Sequence, residues 1–490
     1  MDSPFSSPEI PAPRRRRWVV PLVIIGVLCL PPLISVTWFL HYRSSGSSAV
    51  EKLEAAIKAR GEPLTLADLA AMYPPIPDSS NGAAALLNVW EKDSPAFWAA
   101  FREGSPTLPP RSFPQVDREL PFFGANARRI PRTGGIPSAS LAAAESYLAQ
   151  QKEHIAAVRA ALRLPQFRFP IQITNGFTML LPHLSEIRRE AQNFRVHALV
   201  AMEHGDTESA ITDLEDMAGM GRTLSSEPTL ISQLVRMACN GMVLEDMERL
   251  LSRGPLTEAQ ISRMERLLDR IQMTGALQLS FESERASDVS AFNLPADKLA
   301  GMVSPPGGDG SDNSAASGLR TGMGFLSAIG LKDADERLIL ETMGEAIGLA
   351  GREDPEAISN SEAAFRNAAV EARKFPPKIF SSMLLPALEK VPSKFAAFEA
   401  RRRAAVAGLA VERYRMNHEG RLPERLDDLT PQFIPSVPTD PFDGNELRFE
   451  RLPTGFVVYS IGADRVDDGG KERPQRGTAR SFDETFTVDR

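Results

Sequence analysis

The feature of this sequence that most constrains its fold is a long uncharged segment near the N-terminus. Residues Trp18 to Leu40 form a run of 23 residues without a charged side chain. At a rise of about 1.5 Å per residue, a helix of this length spans about 34 Å, which is enough to cross a hydrocarbon core of about 30 Å. The segment therefore predicts a transmembrane helix at 18–40.

Basic residues flank this segment asymmetrically. The consecutive arginines Arg14 to Arg17 precede it, whereas a single Arg43 and a serine-rich spacer follow it. Because positively charged flanks stay in the cytoplasm, residues 1–17 are predicted to form a cytoplasmic tail. The chain after residue 40 is then predicted to lie outside the cytoplasm.

Three other interpretations of the apolar segment are less favoured. A cleaved signal peptide could use the small residues Ser47 and Ala49. Signal peptides, however, have apolar cores of about 7–15 residues, shorter than this run. A buried core helix and a lipid anchor at Cys29 are the remaining alternatives, and the residues before Cys29 lack the small side chains that lipidation requires.

Composition excludes two classes of protein. With 42% hydrophobic and 24% charged residues, the 490-residue chain matches an ordinary globular protein. The net charge of -7 gives no electrostatic reason to expect nucleic-acid binding, which requires clustered Lys and Arg. The cysteines Cys29 and Cys239 are too few for a disulfide framework.

The middle of the chain predicts a helical body. Residues 50–391 contain several stretches of good helix formers, interrupted by Pro- and Gly-rich loops at 104–137 and 303–323. Antiparallel helices are predicted from His183 to Ile271. A turn is clearest at 204–207, where Gly205 is suited to end one helix and Asp206 to begin the next.

The last hundred residues predict a separate α+β module at 392–490. A long helix begins near Ser393 and is followed by loops rich in Pro and Asp. Two alternating segments, Glu446 to Arg451 and Gly455 to Ile461, predict a β-hairpin. Thr485 to Val488 is predicted to add an edge strand. The fold class is thus mainly α, with a transmembrane helix, a multi-helix body and a small α+β module.

Four motifs of this module occur in a recognisable order. They are Ala405 to Tyr414, Gly420 to Pro423, the Asp-Pro-Phe-Asp-Gly turn at 440–444 and the Tyr-Ser-Ile-Gly-Ala-Asp segment at 459–464. In order and spacing they resemble the C-terminal half of the major pseudopilin of type II secretion. The whole chain resembles uncharacterised membrane-anchored bacterial proteins that carry such a head. This resemblance implies a location in the bacterial inner membrane.

The resemblance also implies calcium as a cofactor. The corresponding loop of the family binds calcium through Asp side chains and backbone carbonyls, and Asp464 and Asp483 are the matching positions here. Asp467 or Asp468 are candidate substitutes within the same loop, and Ser460 could offer a carbonyl. A plain solvated turn is the alternative interpretation of this loop.

The chain departs from the family at its N-terminus. A pseudopilin has a processing site, a Gly followed by a Glu, directly before an apolar stretch that continues into its long helix. Here the span at 18–40 contains no Glu and lies about 350 residues upstream of the module. The chain is therefore not expected to polymerise as a pilin.

The sequence contains no standard catalytic or nucleotide-binding motif. His183, Glu190, His197 and His204 recur every seven residues, and residues so spaced on a helix lie about 10.5 Å apart, too far to share a metal. This stripe is predicted to be a solvated helix face. An enzymatic role stays open, but a structural, scaffolding or partner-binding role is favoured, with an unknown protein partner.

Two other functions compete with that hypothesis. The chain could be a hydrolase or another enzyme whose site gathers His183, Glu186 and His197 in a cleft of the helical body. It could also be an accessory factor of a secretion or envelope-assembly system.

Overall fold

The computed structural model describes residues 47–110, 119–120, 122–123, 132–292, 331–374, 378–472 and 482–490. The predicted cytoplasmic tail, the predicted transmembrane helix at 18–40 and the predicted loop at 303–323 lie outside these residues, as does part of the predicted loop at 104–137. Within the described ranges, no helix is both long and apolar enough to span a bilayer. The membrane span therefore stays a prediction from the sequence.

The described chain is mainly helical and ends in a small antiparallel sheet, which confirms the fold class at this level. The first helices are α1 (47–59), α2 (Leu66–Ala71), α3 (Gly82–Glu91), α4 (Pro95–Arg102), α5 (Ser138–Leu162), α6 (His183–Glu203) and α7 (Thr207–Arg222). The others are α8 (Leu230–Arg253), α9 (Glu258–Arg270), α10 (Ala276–Phe292), α11 (Leu331–Leu349), α12 (Pro355–Ala372), α13 (Ile379–Leu388) and α14 (Val391–Asn417).

The turn between α6 and α7 shows how the local sequence sets helix boundaries. Gly205 follows the end of α6 with a φ of 72°, in the left-handed region that glycine enters without steric penalty. The side chain of Asp206 accepts the backbone N–H of Ser209 at 3.0 Å. This contact satisfies one of the free donors at the start of α7. The turn predicted at 204–207 between two helices is confirmed.

Helices α6, α7 and α8 form the centre of the helical body and pack against one another. Ile187, Phe194, Leu214 and Met247 are buried at their interfaces. Burying a side chain of this size contributes roughly 1.5–3 kcal/mol relative to exposure. Cys239 is a buried free thiol, so apolar packing rather than a disulfide holds this region together.

The C-terminal sheet consists of β1 (Arg448–Leu452), β2 (Gly455–Ser460) and β3 (Glu484–Asp489). The strands are antiparallel in the order β1-β2-β3, with Arg448 opposite Tyr459 and Phe456 opposite Val488. The predicted hairpin is confirmed, and the third predicted segment is the edge strand β3.

A glycine lets α14 lie close against this sheet. A Cβ atom at Gly408 would lie 2.6 Å from Cδ1 of Phe486 on β3. Phe486 is itself buried, so its ring has little room to move. The close approach of α14 and β3 therefore depends on the missing side chain at position 408.

The outer edge of β3 is closed by side chains of α8. The backbone N–H groups of Thr487 and Asp489 donate to Glu248 Oε1 and Ser252 Oγ, each at 3.0 Å. Alternate N–H groups of an edge strand point away from the sheet. Two residues that are two positions apart, such as Thr487 and Asp489, can therefore both donate to acceptors on α8. The helical body thereby supplies the hydrogen bonds that a fourth strand would otherwise make.

The module and the body share one hydrophobic core in the described residues. Phe395, Leu409 and Phe456 belong to the same buried cluster as Leu244 and Leu268 of the body. The core is continuous across residue 392 and marks no boundary there. The division of the chain at this residue stays a prediction from the sequence.

We expect Gly408→Ala to lower the free energy of unfolding by about 1–3 kcal/mol, because the new methyl group would overpack against Phe486. Gly344→Ala is the matched control, since its Cβ would meet nothing within 4 Å in α11. That substitution should raise the free energy of unfolding by up to about 1 kcal/mol. Chemical denaturation followed by circular dichroism measures both, and equal effects would contradict the packing described for α14.

Candidate functional site

A cleft of about 940 Å³ lies where the helical body meets the C-terminal module. Its walls come from α6, α8 and α14 and from two segments of the module. The first segment follows β2 and contributes Ala463 and Asp464, and the second leads into β3 and contributes Phe482 and Glu484. This volume falls within the range of about 300–1,000 Å³ that is usual for binding pockets. The cleft is therefore the candidate binding site.

Helical spacing places the lining side chains on one face of each helix. On α6 the lining residues Arg188, Gln192 and Arg195 are four and three positions apart. On α14 Lys394 and Arg401 are seven positions apart, which is two turns. Each stripe therefore points into the cleft along the length of its helix.

Small side chains keep the cleft open. Ala238 and Gly241 line it from α8, Ala397 lines it from α14, and Ala463 lines it from the module. A Cβ atom at Gly241 would meet nothing within 4 Å, which shows that this part of the wall is unfilled. The gap between the helices thus results from small residues at facing positions.

The charged residues that line the cleft are mainly basic. Five are cationic, namely Arg188, Arg195, Lys390, Lys394 and Arg401, and three are acidic, namely Glu245, Asp464 and Glu484. The difference is two positive charges. The cleft is therefore suited to bind a negatively charged group.

Two of these cations have partners in the protein. Arg195 is buried and forms ion pairs with Glu245 at 2.8 Å and with Asp246 at 3.0 Å. Lys390 lies 3.3 Å from Glu362. These pairs fix the two side chains and partly neutralise them.

Arg188 and Lys394 differ from those cations. Both are exposed, and neither side chain forms a hydrogen bond or an ion pair with another residue in the part of the chain that the structure describes. They line the cleft from two different helices, α6 and α14. They are consequently the cations that are most available to a bound anion.

Arg401 supplies a further positive charge from α14. Burial lowers the pKa of its guanidinium, but the nearby carboxylates of Glu248, Glu245 and Glu484 raise it above its ordinary value. The group therefore stays protonated at every physiological pH. The cleft wall therefore carries the charge of Arg401 in addition to those of Arg188 and Lys394.

Apolar side chains lie between the charges. Met237 and Met242 on α8, Phe398 on α14 and Phe482 in the module line the cleft. Methionine is flexible and polarisable, so it adapts to ligands of different shape. The described lining thus combines cations with adaptable apolar contacts, which suits binding of an amphipathic acidic group.

The aspartates that the resemblance implies for calcium either line the cleft or accept hydrogen bonds within their own turn. Asp464 lines the cleft. The carboxylate of Asp483 accepts the N–H groups of Gly470 and Lys471 at 2.8 and 3.2 Å. Asp467 accepts the N–H of Gly469 at 2.9 Å. These two carboxylates stabilise the turn itself.

No group of three or more His, Cys, Asp or Glu side chains could hold a metal ion among the described residues. Asp468 lies in the same turn, and its N–H approaches Asp483 at 3.4 Å. The residues present therefore fit calcium poorly, because the carboxylates of the turn are already bound to its backbone. Calcium stays a prediction that a titration can test.

The histidine stripe of α6 does not form one site. Each member has its own partner on another segment: His183 pairs with Glu227 at 2.7 Å, Glu190 with His154 at 2.9 Å, His197 with Asp213 at 2.5 Å and His204 with Glu145 at 2.7 Å. Glu186 pairs with Arg189 on α6 itself, also at 2.7 Å. The hydrolase hypothesis expected His183, Glu186 and His197 to converge, and these contacts do not support that hypothesis.

The prediction that this stripe is a solvated face is wrong for half of it. His183 and Glu190 are buried, whereas His197 is partly exposed and His204 is exposed. The cause is the packing of α5 and the segment before α8 against the first turns of α6, which periodicity on α6 alone does not reveal.

The cleft itself was not predicted from the sequence. Its basic stripes on α6 and α14 are visible in the sequence as Arg188 with Arg195 and as Lys394 with Arg401. Nothing in the spacing shows, however, that these two stripes line one cleft.

No protein-family model matches the chain, and neither a curated protein nor a solved structure matches it significantly. The resemblance to the major pseudopilin therefore remains a prediction carried by the motifs of the C-terminal module.

The stability of the body should depend on pH through His197. Its hydrogen bond to buried Asp213 raises the pKa of His197 above the usual value. The protonated histidine thus stabilises the fold fully below about pH 6.5, the unfolded pKa, and this contribution is lost as the pH rises through the folded pKa. We expect His197→Gln to reduce the loss of unfolding free energy between pH 6 and pH 8, measured by denaturation.

His204→Gln is the control for that measurement. His204 forms its ion pair with Glu145 in solvent, where such pairs contribute little. A pH profile that changes equally in both variants would rule out the coupling between His197 and Asp213.

Proposed function

We propose that this chain is a single-pass membrane-anchored protein whose described part lies outside the cytoplasm and binds an acidic segment of a partner protein in the cleft. The carrying observation is the pair Arg188 and Lys394, which line that cleft from two different helices and lack partners among the described residues. Two unpaired cations in one cleft give it a positive potential, which complements a negatively charged partner.

The lining favours a protein segment over a small anion. A small anion needs only the cations, but the cleft also presents Met237, Met242 and Phe398. Interfaces gain most of their affinity from apolar and Arg contacts that are desolvated together. An acidic peptide with apolar side chains meets both requirements.

The anchor is proposed from the sequence. The uncharged run at 18–40 is long enough to cross a bilayer, and Arg14 to Arg17 place its start in the cytoplasm. In the bacterial inner membrane this orientation would hold the cleft on the extracytoplasmic side.

One contact supports the proposal that the C-terminal module is pseudopilin-like. The side chain of Asp440, in the Asp-Pro-Phe turn, accepts the hydroxyl of Ser460 at 2.8 Å and the N–H of Ile461 at 3.0 Å. Asp440 is buried. The two most specific motifs of the resemblance therefore bind each other and form one structural unit, which gives a physical reason for their joint occurrence.

The cleft can be tested with a defined probe. A fluorescein-labelled peptide of alternating Glu and Leu should bind the purified protein at least about tenfold more tightly than a Lys and Leu peptide, because charge complementarity is worth on the order of 1 kcal/mol or more. Fluorescence anisotropy measures both affinities. Arg188→Glu with Lys394→Glu should abolish this preference, and added salt should weaken binding of the acidic peptide.

Lys52→Glu with Lys152→Glu is the matched control. Both lysines are exposed and lie outside the cleft, and the double substitution changes the net charge by the same amount. If the control weakens binding as much as the cleft variant does, the cleft is not the binding site. Equal affinity for the two peptides would also reject it.

The orientation of the chain can be tested by cysteine labelling in bacterial spheroplasts. In a Cys29→Ser background, Lys152→Cys on the exposed face of α5 should react with a membrane-impermeant maleimide from outside. Ser6→Cys in the predicted cytoplasmic tail should react only after lysis. If the labelled Ser6→Cys protein has the mass of the full-length chain, the anchor is retained after synthesis. Labelling of this residue in intact spheroplasts would contradict the proposed orientation.

A further inference from the structure

Helix α13 lies at the surface although its sequence contains no charged residue. Its ten residues, from Ile379 to Leu388, are apolar apart from two serines. Ser381, Leu385 and Leu388 are buried, and their spacings of four and three residues put them on one helix face. The other residues of the helix are partly or fully exposed. The helix therefore buries only one side.

The exposed side of α13 is apolar. Met383 is 51% exposed, and Ile379, Phe380 and Leu384 are partly exposed around it. A helix at the surface of a globular protein normally turns charged residues towards water. An exposed apolar patch instead marks a contact with a membrane or with another protein.

Internal contacts place α13 beside α1. Asp335, in the first turns of α11, accepts the backbone N–H groups of Phe380 and Ser381 at 2.8 and 2.9 Å. Leu340 follows five residues later on α11, a rise of about 7.5 Å, and belongs to the same small buried cluster as Val50 of α1. The start of α13 and the start of α1 therefore lie along neighbouring turns of α11.

The start of α1 is close in the chain to the proposed anchor. The apolar run ends at Leu40, and α1 begins at residue 47. Residues 41–46 can bridge at most about 25 Å, because an extended chain advances roughly 3.5 Å per residue. This length holds the corner formed by α1 and α13 near the surface of the membrane that the run at 18–40 is proposed to cross.

The segment that leads into α13 is basic. It carries Arg373, Lys374 and Lys378, and its acidic residue Glu371 pairs with both lysines. Three cations and one carboxylate leave an excess of two positive charges. Cations beside an apolar surface favour contact with anionic lipid headgroups.

From these observations we propose that α13 docks on the extracytoplasmic leaflet of the bilayer that holds the anchor, with Ile379 and Met383 among the upper acyl chains. The inference rests on the proposed membrane anchor. Apolar side chains of an interfacial helix enter the boundary between headgroups and acyl chains by about 5–10 Å. Helix α13 thereby gives the helical body a second contact with the membrane and restrains its orientation.

The test uses the full-length protein in nanodiscs of phosphatidylethanolamine and phosphatidylglycerol. In a Cys29→Ser background that keeps buried Cys239, the fluorophore NBD is attached to Met383→Cys. A nitroxide on the upper acyl chain of a lipid should quench this label at least about threefold more strongly than a label at Met416→Cys, because position 383 lies in the membrane interface. Iodide in the water should quench the label at 383 less than the label at 416.

Met416→Cys is the matched control. Met416 is also an exposed methionine, at 42%, and lies near the end of α14. Helix α14 begins at Val391, shortly after α13, and a helix advances about 38 Å between that residue and Met416. The control label therefore reports on a similar side chain far from α13.

Each of three results would overturn the proposal. Equal quenching of the two labels by the nitroxide lipid would show that α13 makes no specific contact with the bilayer. Protection of the label at 383 from iodide without quenching by the nitroxide lipid would show that a protein surface, such as a second copy of the chain, covers this face. Protein that does not co-elute with the discs would reject the anchor itself and the docking that rests on it, whereas the first two results reject the docking alone.

Discussion

The structure depends above all on the burial of α14 between the helical body and the sheet. Its segment from Ala404 to Val411 is almost entirely apolar and buried, with Gly408 on the side of the sheet. The helix contacts α8, α9 and α12 of the body and both β2 and β3. A helix that is apolar on all sides needs partners on all sides. Removing it would therefore expose the core of the module and part of the core of the body together.

The cleft follows from the same helix. The first half of α14 carries Lys394 and Arg401 along one wall, while Phe395 and Phe398 of the same half lie in the shared core together with most of the second half. Because the core holds both halves, the backbone at Lys394 cannot move far relative to Arg188 on α6. The spacing of the two helices at these exposed cations is thus set by apolar packing. A binding site built in this way is preorganised, and preorganisation reduces the entropy lost on binding.

Buried charges give the contact between the C-terminal sheet and the helical body its specificity. Burial raises the pKa of Glu248 to about 7, although Arg132 and Arg401 oppose that rise. The same carboxyl accepts the N–H of Thr487 and so positions β3 on α8. Such a group adds little to net stability, but it has few alternative partners, and breaking its contacts is costly. Electrostatics thereby decide where the sheet lies on the body, while apolar burial decides that it lies there at all.

The sequence by itself determined the mainly helical body, the turn at 204–207, the long helix near Ser393 and the three strands, because these depend on local periodicity and on residues such as Gly205 and Asp206. It also predicts a membrane span at 18–40, which lies outside the described residues. Only the tertiary structure decided that His183 is buried, that Arg188 and Lys394 face one cleft, and that α13 lies beside α1 with an apolar side exposed. The physical reason is that spacing along one helix fixes which side chains share a face, whereas the partner of that face is chosen by the packing of segments distant in the chain.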